Sequence, residues 1–204
     1  LGALTDQDLT SCDTTAILAL LETENITDMQ TEAALMGARL HPDSKRPSTE
    51  TVFHAWLLSL ENIRFVGHCH PTAANQVLCS PRARDFAERR IFPDEIVCCG
   101  PASVFVPYMD PGLPLAREVR EQTNLFIKHH QLVPRLILLQ NHGIIALGPT
   151  PQSVLACIFM ATKAAEIFVG AAALGGPTFM QQKDVDRIHL RPDEVYRQQQ
   201  LRIG

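Results

Sequence analysis

A chain of 204 residues is long enough to bury a substantial core within one domain. With 46% hydrophobic and 20% charged residues it is globular rather than disordered. Its 18 basic and 22 acidic residues give a formal net charge of -4 without a long run of either sign. That balance carries no electrostatic footprint for nucleic acid or an anionic membrane and leaves small molecules as the expected partners.

Leu4-Thr5-Asp6-Gln7-Asp8 predicts a capped turn, with Thr5 as cap and Asp8 three residues on. Thr14 to Leu21 and Thr31 to Leu40 are rich in Ala and Leu and predict helices, although flanking strands look similar in such short windows. His41 to Pro47 is a polar loop with two prolines. A helix is expected from Ser48-Thr49-Glu50, with Val52, Phe53, Trp56, Leu57 and Leu60 on one face, ending at Glu61-Asn62. Phe65 to His70 predicts a strand. Ser80-Pro81 opens a charged helix to about Arg90. Asp94 and Glu95 read as residues of a solvated loop, and Ile96 to Cys99 and Val104 to Val106 read as short strands.

Tyr108 to Gly112 is a turn, after which Pro114 opens a helix carrying Leu115, Val119, Phe126 and Ile127 inward. Leu136 to Leu139 and Ile144 to Leu147 predict strands around a turn at His142. Thr150-Pro151 caps a long apolar helix that Gly175-Gly176 stops. Lys163 and Glu166 interrupt it, which predicts a buried helix rather than a membrane span. The tail from Arg187 is mostly polar, with Tyr196 its only aromatic residue. Strands mixed with helices predict one domain over 1–204, a central sheet with helices packed on it. The six cysteines hold no Cys-x-x-Cys pair, and the chain opens on no basic-then-apolar segment. A reducing, cytoplasmic setting is therefore expected.

The chemistry concentrates in Gly67-His68-Cys69-His70. On a strand, side chains alternate with period two, so His68 and His70 project from one face at a separation that suits one metal ion. A third candidate, His142, follows the apolar run of Leu136 to Leu139. Three neutral imidazoles with an open fourth position are a common design for catalytic zinc. Glu50 adds a carboxylate. A ten-residue helix runs roughly 15 Å, and the following strand returns roughly 20 Å at about 3.3 Å per residue. If the two pack antiparallel, Glu50 and His70 finish at the same end.

Pro47-Ser48-Thr49-Glu50, Gly67-His68-Cys69-His70-Pro71 and Asn141-His142-Gly143, in this order, resemble the class II aldolase/adducin family. Val106-Pro107-Tyr108 with Pro111-Gly112 extends the resemblance, which covers most of residues 40 to 175. It implies an α/β fold of three layers, a mainly antiparallel sheet flanked by helices. It also implies a homotetramer, and zinc or another divalent metal held by His68, His70 and His142. By matching position Glu50 looks like the acid/base residue, and Ser48 and Thr49 look like residues that hold a substrate phosphate. The expected activity is a zinc-dependent lyase, an aldolase acting on a small, phosphorylated hydroxy-carbonyl sugar derivative. The metal stabilises an enediolate as a Lewis acid, and the carboxylate moves the proton.

Each of these residues also has a plainer role. Ser48 and Thr49 suit helix capping, and Glu50 suits a first-turn carboxylate complementing the helix dipole. The sequence departs from the family pattern in two places. No Gly-Asn pair occurs in residues 1 to 46, so either a segment precedes Leu1 or substrate binding differs. No tyrosine occurs between Arg90 and Cys99, where Asp94 and Glu95 stand instead. Asp94 is a candidate for a second acid/base group, as is Tyr196, with a solvated loop the alternative for both acids. Epimerisation, decarboxylation or dehydration at the same centre are further expectations. An adducin-like binding module without catalysis is the expectation of another class.

Overall fold

The computed structural model describes Thr5 and residues 8–200. The backbone divides into two compact units: residues up to Ser59 with Met109–Arg120, and Leu60–Tyr108 with everything from Glu121 onward.

The first unit is helical. α1 (Thr14–Glu22) starts at Asp13, whose carboxylate accepts from the Thr15 N–H, and buries Ile17, Leu20 and Leu21. α2 (Asp28–Gly37) starts with a reciprocal capping box between Thr27 and Gln30. α3 (Thr51–Leu57) buries Val52, Phe53, Ala55 and Leu57. An isolated bridge from Cys12 to Arg39 ties the segments flanking the first two helices. Arg117, in the opening turns of α7 (Leu113–His130), donates through Nε to the Leu21 carbonyl at 3.2 Å and also bonds the Thr23 carbonyl. A cation there satisfies carbonyls left open at the end of α1. The expected turn at the start is built as Asp8 Oδ2 accepting from both N and Oγ1 of Thr5; Leu4, Asp6 and Gln7 lie outside the described residues.

The second unit carries the sheet. β1 (Phe65–Cys69), β2 (Val104–Val106), β3 (Leu136–Leu139) and β4 (Gly143–Gly148) pair in the order β1-β4-β3-β2. The β1–β4 and β3–β4 pairs are antiparallel and the β2–β3 pair is parallel, a mainly antiparallel sheet as expected. Every residue of β3 and β4 is buried, which requires cover on both faces. On one face Leu136, Leu138, Ile144 and Ala146 join a core with α4 (Thr72–Leu78), α5 (Ala83–Glu88) and α8 (Pro151–Ala172). By length and composition α8 is apolar enough to cross a membrane. In the fold its Val154, Cys157, Ala161, Ala164, Ala165 and Phe168 are buried. A Cβ on Gly67 would stand 2.6 Å from Val154 Cγ1, so α8 lies directly against β1 on this face.

Two stretches differ from expectation. Residues 93–99 form a helix, α6 (Pro93–Cys99), rather than a loop and strand. Pro93 presets the first helical φ, Asp94 and Glu95 complement the helix N-terminus, and Gly100 at φ 85° ends it. Glu95 is not solvated: it is 2% exposed and lies 3.7 Å from the fully buried Arg90. Arg90 donates to the carbonyls of Gly100, Ala87 and Arg89 and to Ser103 Oγ, so its charge is embedded in acceptors. Burial pushes the Glu95 carboxyl up, against the pull of Arg90 and of the Ile91 N–H. The polar tail is also helical, as α9 (Gln182–His189) and α10 (Pro192–Gln200). Val185 and Ile188 pack on Ile96 and Val97, and Arg135 bonds both the Val97 carbonyl (2.6 Å) and Gln198 Oε1 (3.0 Å).

Candidate metal centre

β1 delivers His68 with Gly67 and Cys69 turned toward α8, so the imidazole projects from the opposite face. His70 follows at the strand end, and Pro71 then caps α4, which ends the pairing there. The third imidazole comes from the β3–β4 connection. Asn141 adopts φ 56°, the left-handed conformation Asn tolerates. Its N–H donates to the Leu78 carbonyl (3.2 Å), while Gln140 N–H donates to Val106 (2.9 Å) and His142 N–H to Leu139 (3.2 Å). The turn is therefore anchored to α4, β2 and β3, and His142 is held rather than free to wander.

One ligand nitrogen from each of His68, His70 and His142 lies within 4.8 Å of the others. The ring centroids are 4.7, 5.1 and 5.0 Å apart. His68 Nδ1 is 2.9 Å from the Ile144 carbonyl, which can only accept, so Nδ1 carries the proton and Nε2 keeps its lone pair. His68 Nε2 and His70 Nε2 are 3.0 Å apart. Two nitrogens at tetrahedral zinc, each about 2.05 Å from the ion, would be separated by roughly 3.3 Å. Without a cation the same spacing accommodates His70 Nε2–H donating to His68 Nε2, and a metal replaces that proton. The donor set thus fits a divalent cation that accepts imidazole.

Space around the cluster is set by Gly143. A Cβ there would stand 2.4 Å from His70 Cδ2, 2.7 Å from the Cys69 carbonyl and 3.3 Å from His70 Nε2. Only a residue without a side chain lets β4 pass so close to His70.

The remaining sequence candidates fall on both units. Glu50 is half-buried and occupies the N-cap of α3 in the first unit. Ser48 and Thr49 precede α3 instead of opening it, and the Ser48 hydroxyl accepts from the Glu50 N–H at 3.2 Å in a local turn. Asp94 is exposed in the first turn of α6, and the metal-ligand cluster does not include it. Tyr196 lies on α10, 63% exposed. Sequence reasoning missed the Ile144 carbonyl that sets the His68 tautomer and the demand for glycine at 143. The first has no side-chain signal, and the second was visible only as part of Asn141-His142-Gly143.

The Class II Aldolase and Adducin N-terminal domain family matches residues 11–169. The uncharacterized oxidoreductase YuxG of Bacillus subtilis (strain 168) is 26% identical over 137 residues. The match takes in 67% of this chain but spans only 17% of that protein's length. Among solved structures, the N-terminal class II aldolase domain of a conserved protein from Thermoplasma acidophilum aligns with TM-score 0.64 at 26% identity. It covers 82% of this chain and 70% of that one. An L-fuculose 1-phosphate aldolase shares the fold with TM-score 0.56 at 19% identity, over 72% of this chain and 64% of that one.

Proposed function

The chain belongs to the class II aldolase and adducin family, and on that premise we propose that it is a zinc-dependent aldolase acting on a small hydroxy-carbonyl sugar derivative. The observation that carries the proposal is the meeting of three imidazole nitrogens with the His68 tautomer set for a metal. Imidazole donors favour zinc over magnesium or calcium, and three of them leave a position for substrate. A divalent cation held by His68, His70 and His142 supplies Lewis acidity at the substrate carbonyl oxygen, where negative charge develops as the carbon–carbon bond breaks.

The chain's own groups move the protons. In cleavage, the electron pair of the broken bond stays with the carbonyl fragment, and the Glu50 carboxyl returns a proton to that carbon. In condensation the same carboxylate removes it. Ser48 and Thr49 orient the substrate end remote from the carbonyl. Asp94 and Tyr196 are the candidates for taking the proton of the hydroxyl that becomes an aldehyde. A homotetramer and a cytoplasmic setting complete the proposal.

Metal analysis and a cleavage screen test this directly. The purified protein is expected to hold one zinc per chain and to split a member of a ketose panel into two carbonyl fragments. His68→Ala with His142→Ala is expected to abolish both. Full zinc content in a folded double variant rejects the assignment, and a metal-loaded protein that only inverts a carbinol centre assigns epimerisation instead.

A further inference from the structure

α8 turns Val154, Cys157, Ala161, Ala164, Ala165 and Phe168 into the core of the second unit, which leaves the opposite face of the helix outward. That face is not polar. Phe159 is 69% exposed and Leu155 51%, and Leu174, just past the helix end, is 88% exposed. Lys163, Glu166 and Gly170 are exposed on the same side. The glycine has no cause among the described residues. It does not adopt a positive φ, and a Cβ there would meet no neighbour within 4 Å. Alanine would fit and would favour the helix, since glycine is the poorer helix former.

The order of these residues is complementary to itself. A two-fold axis perpendicular to α8, midway between Ala164 and Ala165, brings together residues equidistant from that midpoint across an antiparallel helix pair. Lys163 and Glu166 stand roughly 2 Å along the helix on either side of it, and Phe159 and Gly170 roughly 8 Å. Phe159 and Gly170 are about three turns apart and share the centre line of the face, with Lys163 and Glu166 on opposite flanks of that line. Under the two-fold, Lys163 therefore meets the partner's Glu166, and the Phe159 ring lies on the partner's Gly170, where no side chain stands in its way. Leu155 meets the partner's Leu174. A midpoint at Lys163 or at Glu166 would instead set like charges face to face, so charge fixes the register. A lipid surface gains nothing from opposite charges on the two flanks, whereas a second copy pairs both. We propose that the outer face of α8 is a two-fold interface with a second copy of this chain, Phe159 seated on the partner's Gly170 and Lys163 paired with the partner's Glu166. The inference rests on the self-association proposed above and names a surface that makes it.

The test is charge reversal, read by sedimentation of the full chain across a dilution series. Lys163→Glu and Glu166→Lys should each weaken association by about tenfold or more, because each sets two like-charge pairs in the interface. The double reversal should restore association to within about threefold. Restoration separates an interface from a fault within the protomer. The Lys163 ammonium lies 5.3 Å from the Phe92 ring centroid, and a carboxylate at 163 loses that contact whatever stands at 166. Gly170→Leu, for which the protomer has room, should fold with its zinc content unchanged and weaken association by occupying the place of the partner's Phe159. An assembly that ignores the single reversals or Gly170→Leu overturns this interface and leaves the homotetramer to another face. Single reversals that weaken association without rescue by the double overturn it as well. A monomeric unsubstituted protein removes the homotetramer and this interface together and leaves the metal centre untouched.

Discussion

Replacing Gly143 with alanine adds one methyl group and tests the metal centre without removing any ligand. Gly143 is not among the glycines with positive φ, so alanine meets no backbone penalty there and space alone decides the outcome. The new Cβ would lie 2.4 Å from His70 Cδ2 and 2.7 Å from the Cys69 carbonyl. The carbonyl belongs to a strand paired in register with β4, Cys69 opposite Ile144, and yields little. His70 sits at the strand end and is exposed, so the imidazole gives way. Restoring ordinary contact requires a shift of about 1 Å, several times the roughly 0.2 Å that metal–ligand distances tolerate. Zinc affinity is therefore expected to fall by at least the 10- to 100-fold typical of a disturbed ligand. The overpacking itself should cost about 1–3 kcal/mol of stability.

Gly67→Ala is the matched control. Its Cβ would meet Val154 Cγ1 at 2.6 Å and Ile158 Cδ1 at 3.2 Å on the α8 side of the sheet, away from the imidazoles. Stability should drop by a similar amount with zinc affinity retained. Competition against a chelator gives the affinities and urea unfolding gives the stabilities. Zinc affinity within twofold of the unsubstituted protein in Gly143→Ala, with the fold intact, would refute the placement of His70 in the centre.

Glu50→Gln should keep fold and zinc but cut turnover about 10²- to 10⁴-fold, since an amide exchanges no proton; near-normal turnover in steady-state assays would return Glu50 to a capping role. Burial holds the Glu95 carboxyl above its ordinary value of 4.5. Its contribution to stability is thus full below that value and is lost as pH rises through the raised folded pKa. Glu95→Gln does not ionise, so unfolding curves should show the variant gaining on the unsubstituted protein as pH rises above about 4.5, and parallel curves would sink the argument. Sedimentation at micromolar concentration is expected to give a tetramer, and a monomer would remove that part of the proposal.

Legibility of the fold followed how local its causes were. α8 announced both ends through Thr150-Pro151 and Gly175-Gly176, because caps and terminating glycines act within one turn. α6 was misread because Ile96-Val97-Cys98-Cys99 is an apolar run too short for periodicity to separate helix from strand. The deciding signal was Pro93-Asp94-Glu95 upstream with Gly100 downstream, four start and stop residues that the apolar run outweighed. Glu95 looked solvated because acids usually are, yet it is buried together with Arg90. Their burial depends on Ser103 and on carbonyls of Ala87, Arg89 and Gly100, a set of acceptors that only the folded chain assembles. The helical tail was missed for a related reason: Val185 and Ile188 earn their burial from Ile96 and Val97, nearly ninety residues earlier.

At the metal centre the division runs between ligands and the groups that aim them. His68 and His70 were legible together because period two is a local property of a strand, and His142 because it follows a strand in a recognisable turn. The tautomer was not legible, since its determinant is the Ile144 carbonyl, 76 residues from His68 in sequence and adjacent only through the β1–β4 register. The same register brings Gly143 under His70. Side-chain identity thus names what can bind a metal, whereas backbone pairing decides which nitrogen is presented and how closely the rings converge. A variant that preserves all three histidines yet slips the β1–β4 register by one residue would turn His68 to the α8 face, and the ligand set would be lost with its sequence unchanged.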